Sequence, residues 1–440
     1  PSQFSGFVRL ENGTISLVLP QKTPLILHDV NLSMVGDGGH ALDGVVDAHI
    51  GNDQIHSKIE WALDDSGDRS FYIETPHLDM TPIMSQISFP STVSPITGEL
   101  TDVALTMKQR GGFWYGEGGL SFQHVDTKIQ DYRLISGKGT LQVHGDVLFL
   151  QGVETNVNDE YLRVDGTVHH IFDEDPTLQL SVGLKEWNIA SFVSEPLTGY
   201  ITADARLTGP VSNVRASADV EVREITYEGI TVNRGKGHLS YGDQVIHVSD
   251  AELIMQGGAV TGSGSYHIDT EDFSAQADVQ DVSLYGLTLA GMPTMQGTIS
   301  GSLNVEGRQG AIANVGGSIR GRQLGYQSIT VDTLDASLSW DGTQLVVPYM
   351  NGTWGRGTFT GSGRLENGTF DAKLHGTHIG LDQFNRWSPQ PLGGTVSVKA
   401  DLQGSVDHPT GTVTLAGEGL SYGATQFDRA FANVKIEDGT

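Results

Sequence analysis

Five residues are the first that could hold a metal. His169-His170 is followed by Asp173-Glu174-Asp175, and imidazole with carboxylate is a donor set for a transition metal. Neighbouring side chains on a strand point to opposite faces, so two adjacent histidines do not share one ligand sphere. An acidic turn is the expectation for DEDP, and no metal site. GSGSYH (262–267) and GKGHLS (235–240) carry the glycines of a phosphate-binding loop. Both lack the following helix and the Lys-Ser/Thr ending that such a loop needs. The aspartate–glycine spacing of a calcium loop is absent. No Ser-His-Asp grouping has a local signature, and scattered carboxylates on strands read as ordinary solvation. Asn12, Asn31, Asn351 and Asn367 begin Asn-x-Ser/Thr triplets, three of them as Asn-Gly. With no cysteine in the chain, disulfides and thiolate metal centres are excluded. The expectation is a non-enzymatic chain with no catalytic residue, no cofactor and no metal.

The chemistry therefore has to come from surfaces. The 440 residues hold 53 Asp and Glu against 26 Lys and Arg, a net charge of −27. Such a chain repels nucleic acid and anionic membrane surfaces. Lipid contact is then expected to be apolar, not through a basic patch. Glycine, at 57 residues, is about twice as frequent as usual. An acidic, glycine-rich, cysteine-free chain fits a bacterial extracytoplasmic compartment. No run of 18 apolar residues and no signal peptide is present. Both ends read as strand and turn, as in an internal fragment of a longer protein.

Period-2 alternation dominates, which is the pattern of a half-buried strand. Three stretches show it in the same register: PLTGYITADARLTG (196–209), PTMQGTISGSLNVEG (293–307) and PLGGTVSVKADLQG (391–404). Their apolar positions are Ile201, Ala203 and Leu207, then Ile299, Leu303 and Val305, then Val396, Val398 and Leu402. Since a one-residue slip turns the apolar set to the other face, shared register means shared geometry. Asn-Gly at 12–13, 351–352 and 367–368, and Asp-Gly at 43–44, 165–166, 341–342 and 438–439, are hairpin signals. Helical periodicity is confined to LDMTPIM (78–84), WNIASFV (187–193) and LDQFNRW (381–387), each long enough for one or two turns.

The opening glycines Gly98, Gly199, Gly297 and Gly394 recur at steps of 101, 98 and 97. Leu141, Leu239 and Leu338 keep the same step, as do Gly166, Gly264 and Gly363. Closing glycines follow at Gly209, Gly307 and Gly404. This divides the chain into a partial unit at 1–94, a divergent unit at 95–195, units at 196–292 and 293–390, and a partial unit at 391–440. After Gly98 the apolar set shifts to Val103, Leu105 and Met107, which predicts a bulge. About eight strands per unit are expected at roughly 12 residues per strand and turn. The fold class expected is all-β: a long antiparallel meandering sheet curled into a trough, with short helical turns between repeats. One apolar face must be covered, closed into barrels or curled over, and no helix is available as a cover.

The proline–glycine opener, the strand endings ARLTG, LNVEG and ADLQG, and the repeats GKGHLSY, GSGSYHI and GSGRLEN resemble the TamB/AsmA-like family of diderm bacteria. The likeness covers essentially the whole chain and lies in the order of the motifs and their step. It implies a β-taco trough in the periplasm, with an inner-membrane anchor outside this fragment. It implies a bridge-like conduit that shields phospholipid acyl chains moving from inner to outer membrane. The nine apolar residues above are then the groove-facing candidates. The resemblance also implies, as an alternative, a scaffold or chaperone for outer-membrane protein assembly with a barrel partner of the TamA/BamA type. A third possibility is a surface adhesin of repeated β domains, since 98 residues matches the length of an Ig-like domain.

Overall fold

A computed structural model describes residues 5–17, 24–38, 41–62, 68–85, 93–193, 196–227, 229–285, 295–326, 329–405 and 408–437. The first thirteen strands are β1 (Ser5–Leu17), β2 (Leu25–Asp37), β3 (Ala41–Ile50), β4 (Asp53–Ala62), β5 (Arg69–Asp79), β6 (Thr97–Arg110), β7 (Phe113–Ile129), β8 (Tyr132–Gly145), β9 (Val147–Val157), β10 (Glu160–His169), β11 (Thr177–Asn188), β12 (Leu197–Pro210) and β13 (Arg215–Tyr227). The second thirteen are β14 (Ile230–Gly242), β15 (Val245–Met255), β16 (Gly258–His267), β17 (Phe273–Ser283), β18 (Met295–Arg308), β19 (Ala311–Tyr326), β20 (Ile329–Trp340), β21 (Gln344–Trp354), β22 (Gly357–Glu366), β23 (Thr369–Gly380), β24 (Leu392–Ser405), β25 (Pro409–Tyr422) and β26 (Thr425–Ile436). All 26 belong to one antiparallel sheet. Among the described pairings β1 is bonded only to β2 and β26 only to β25, so the sheet is open and not a barrel. Contacts divide the chain into two compact units: Pro1–Phe192 with Tyr200–Val220, and Val193–Gly199 with Glu221–Thr440.

The strands are 10 to 17 residues long, and that length changes the count. From Gly199 on β12 to Gly297 on β18 the chain makes six strands, not the eight expected. The other landmarks fall on the same step: Leu141, Leu239 and Leu338 on β8, β14 and β20, and Gly166, Gly264 and Gly363 on β10, β16 and β22. The three helical segments follow it too. Helix Thr81–Met84 comes after β5, the 3-10 turn Ile189–Ser191 after β11, and the 3-10 turn Leu381–Trp387 after β23. A further 3-10 turn, Val211–Asn213, joins β12 to β13. The opening Pro293 and the Asp438-Gly439 pair lie outside the described residues.

Several Asn-Gly and Asp-Gly pairs do not turn the chain. Asn367-Gly368 is a two-residue hairpin turn with both φ positive, and Asp341-Gly342 also lies between strands. Asn12-Gly13, Asp43-Gly44, Asp165-Gly166 and Asn351-Gly352 lie inside strands. At Gly166 and Gly352 a side chain would overlap a carbonyl of the adjacent strand, Gln179 and Thr333 respectively. These glycines allow close backbone approach rather than reversal. RLENGT accordingly has two structures, a bulged strand at 9–14 and a hairpin at 364–369. Other turns use pairs with no Asn-Gly or Asp-Gly, such as Gly111-Gly112, Asn158-Asp159 and Asp243-Gln244, all with positive φ.

Bulges recur along one edge. Asp29, Asp102, His124, Ser136, Glu186, Asp250, Asp281 and His378 sit in the left-handed region (φ 48 to 57) where the ladder shifts register. Asp102 is the bulge expected after Gly98. Each but Asp250, at the middle of β15, lies in the half of its strand nearer the edge toward which odd-numbered strands run. A bulge adds a residue, bends the strand and increases its twist, so a line of them curls that edge. Buried side chains gather there as well: Val30, Leu78, Met80, Val103, Val282 and Ile379 are at most 6% exposed. Within each unit this open, bulged ladder is that of a curled trough.

Candidate functional site

The candidate site is the apolar face of the sheet. In the second unit one line of cross-strand partners runs Gly301, Ile319, Ala336, Met350, Gly361, Leu374, Ala400, Val413, Val434, from β18 to β26. Every member is apolar or glycine. The adjacent line, one residue along, runs Ser300, Arg320, Asp335, Asn351, Thr360, His375, Lys399, Thr414, Asn433. Every member of that line is polar. Paired residues share a face and successive residues alternate, so one face is apolar across nine strands and the other is hydrophilic. In the first unit the equivalent line is Leu207, Leu180, Gly166, Leu150, Leu141, Leu120, from β12 back to β7.

Bulges keep this face intact. At β17, Val279 faces inward opposite Gly301, and Val282 faces inward opposite Ile299. Gln280 and Asp281 together oppose Ser300, so the extra residue resets the alternation. The residue after each left-handed position is turned to the apolar face: Val30 after Asp29, Val103 after Asp102, Val282 after Asp281, Ile379 after His378. The opening glycine of each repeat faces such a position on the next strand. A side chain on Gly98, Gly199, Gly297 or Gly394 would lie 2.5 to 2.9 Å from the carbonyl oxygen of His124, Glu224, Gln323 or Gly419. The closing glycines differ among themselves. Gly404 abuts the His408 carbonyl at a turn, whereas Gly307 lies under the Phe273 ring.

All nine groove candidates occupy the less exposed face of their strands. Ile201, Ala203 and Leu207 alternate with exposed Tyr200, Asp204, Arg206 and Thr208 on β12. Ile299, Leu303 and Val305 on β18 and Val396, Val398 and Leu402 on β24 belong to the second unit and share its apolar face. Ala203 is buried, 5% exposed, and contributes packing rather than open surface. The residues between these three strands, such as Ile319, Met350 and Leu374, were not singled out by the repeat, though they continue the same face. Their signal was the same alternation, hidden by the one-residue resets.

Within each unit, no second layer covers the apolar face among the described residues. The 47.1 kDa chain exposes 26442 Å², whereas two closed globules of half that mass would together expose about 20,000 Å². Among the described residues only twelve apolar side chains are buried; most of the inward set is half-buried, shielded by its neighbours in the same sheet. The helical segments cover the edge alone. Phe192 stacks on Trp187 at 4.5 Å and on Tyr132 at 6.3 Å. Phe384 meets Trp354 edge-on at 5.2 Å, and the Asn385 side chain accepts the Leu392 amide at 2.5 Å.

The polar face carries cross-strand ion pairs. Arg320 Nε meets Asp335 Oδ1 at 2.8 Å and Lys138 Nζ meets Glu154 Oε2 at 3.0 Å. The hydrogen bond that Asp335 accepts from Arg320 raises the pKa of the guanidinium, and the one that Lys138 donates lowers that of the Glu154 carboxyl. A depression of about 730 Å³ on this face is lined by Glu117, Thr140, Gln142, His144 and Phe149 among others. His169 bonds Thr167 at 3.0 Å while His170 lies 3.9 Å from Asp146, so the two histidines have separate partners. Asp175 accepts the Ser212 amide and hydroxyl at 2.9 and 2.6 Å, a structural turn. Among the described residues no cluster of metal-ligating side chains occurs, and no helix is long and apolar enough to cross a membrane. The sequence matches no protein-family model, no curated protein and no solved structure.

Proposed function

We propose that this chain shields phospholipid acyl chains along its apolar face, as a periplasmic part of a bridge-like conduit between inner and outer membranes. The observation that carries the reading is the nine-strand line from Gly301 to Val434, apolar throughout and, among the described residues of its unit, covered by no second layer. An acyl chain gains about 0.8 kcal/mol for each CH₂ removed from water. A continuous face supplies that gain along its length without a pocket of fixed shape, and polar headgroups stay at the solvated margin. The TamB/AsmA-like resemblance supports the same reading. Membrane attachment and any outer-membrane barrel partner would belong to other parts of such a protein. The conduit is favoured over the adhesin because Ig-like domains are two packed sheets, whereas here the described pairings join strands adjacent in sequence within one sheet.

Photo-crosslinking residues placed at Leu207, Leu303 or Leu402, and separately at Asp204 or Lys399, test the proposal in cells. Lipid adducts are expected at the first set and not at the second. Equal labelling of both faces would overturn it. Adducts to unfolded outer-membrane proteins in place of lipid would favour the assembly scaffold.

A further inference from the structure

The turn between β6 and β7 gathers features that the face itself lacks. Gly111 and Gly112 take positive φ values of 55 and 87, a tight two-residue hairpin turn. The Gly111 amide donates to Asp68 Oδ1 at 3.2 Å, which ties this turn to the start of β5. Three consecutive aromatics follow, and all are exposed: Phe113 at 70%, Trp114 at 38% and Tyr115 at 45%. Trp61 and Phe71, at 41% and 39%, lie at the same edge. Cross-strand partners run Trp114, Gln109, Arg69, Trp61, and one step inward Gly116, Met107, Phe71, Ile59. Trp114, Trp61 and Phe71 are therefore continuous with the apolar face, whereas Phe113 and Tyr115 stand on the opposite face of the same edge.

Each of three aromatics is matched to a cation. Arg110 is paired in register with Phe113, and Lys108 with Tyr115. The Arg69 guanidinium lies 4.5 Å over the Trp61 ring. Among the described residues neither Lys108 nor Arg110 has a carboxylate partner, while Glu117 is occupied by His144 at 3.1 Å. A net charge of −27 conceals this local grouping.

We infer that the β6–β7 turn, with Trp61 and Phe71 beside it, is a contact site for the headgroup region of a phospholipid bilayer. Rings that are apolar on their faces and flanked by cations suit the boundary between headgroups and acyl chains. The cations complement anionic headgroups, at about 1 kcal/mol for each one near the surface. A turn with only two residues between paired strands inserts to shallow depth and holds its rings in place. Contact there would put a bilayer beside the exposed start of the apolar face. The inference does not depend on that face carrying lipid, because surface binding and acyl-chain crosslinking are measured separately.

Vesicle flotation of the full chain tests it, with vesicles of phosphatidylcholine alone and with about 30% phosphatidylglycerol added. Wild type is expected to float with both, and better with the anionic lipid. F113S/W114S/Y115S should lower the bound fraction about tenfold on both. R69Q/K108Q/R110Q should remove only the gain from phosphatidylglycerol. F431S, a change at an equally exposed ring on β26 (78% exposed), should bind as wild type. Should the triple aromatic variant not fold, fluorescence decides. Quenching by lipids brominated near the carbonyl should fall in W114F, which keeps its neighbours, and be lost when Trp61 is also replaced by Phe. Failure of wild type to float, flotation of the aromatic variant at wild-type level, or quenching unchanged in W114F overturns the inference. So does loss of self-association, in place of vesicle binding, as the effect of the aromatic variant.

Discussion

Gly297 shows how much one position can govern. Its φ is +110, and a side chain there would stand 2.5 Å from the Gln323 carbonyl oxygen and 2.6 Å from that of Arg322. Both contacts are with main chain, so no rotamer change relieves them. Gly297→Ala is expected to destabilise the second unit by about 2–4 kcal/mol. Gly363→Ala is the comparison. Its φ is ordinary and the nearest atom, the Asp371 carbonyl oxygen, is 3.4 Å away, so a cost of about 0.5 kcal/mol or less is expected. Urea midpoints of the two variants check this, and equal shifts would remove the special role given to the opener. The glycine was legible in the sequence because it recurs at a fixed step. Its partner was not: His124, Glu224, Gln323 and Gly419 share a backbone angle but no side-chain type. A left-handed bulge is selected by what the next residue must do, and that leaves little trace in the residue itself.

At the scale of the strand, alternation was read correctly only between bulges. β12, β18 and β24 keep an unbroken run from their opening glycine, which is why their nine apolar residues could be named. β17, β23 and β2 are interrupted by Asp281, His378 and Asp29. Counted by twos through those residues, Val282, Ile379 and Val30 fall on the wrong face, yet they are 4%, 4% and 0% exposed. The bulge is thus an added residue, and removing it should regularise the strand. Deleting Asp281 leaves Val279, Gln280 and Val282 opposite Gly301, Ser300 and Ile299, with every apolar residue still inward. Deleting Gln276 instead turns Ala277 and Val279 outward and Asp278 inward until the bulge absorbs the slip. The first deletion is expected to shift the melting temperature by no more than a few degrees, for loss of the exposed bonds that the Asp281 carboxylate accepts from Ser300 and Arg322. The second is expected to cost several times more, through a buried carboxylate. Thermal melts of the two deletions decide, and an equal cost would mean that the bulge is required for pairing.

At the scale of the whole chain, no layer among the described residues of either unit ties distant strands together. Each strand packs against the strands next to it in sequence, and the helical segments bridge only the ends of nearby strands. Stability in such an array is close to a sum of local terms, unlike a closed core in which all elements lose their contacts at once. The open face that suits an extended apolar ligand and the weak coupling between strands therefore have one cause. Trp61, Trp114 and Trp187 lie in the first unit, and Trp340, Trp354 and Trp387 in the second. Replacing one set of three by Phe leaves fluorescence that reports on the other unit. Urea unfolding followed by the two reporters is expected to give separate midpoints, each with a slope smaller than that of a 440-residue cooperative unit. A non-ionic detergent below its micelle concentration should raise both midpoints, because a ligand that binds the folded face stabilises every segment it covers. Coincident midpoints would show one cooperative core and remove the uncovered face on which the functional reading stands. Separate midpoints that detergent leaves unmoved would keep the architecture and dismiss the face as a binding surface.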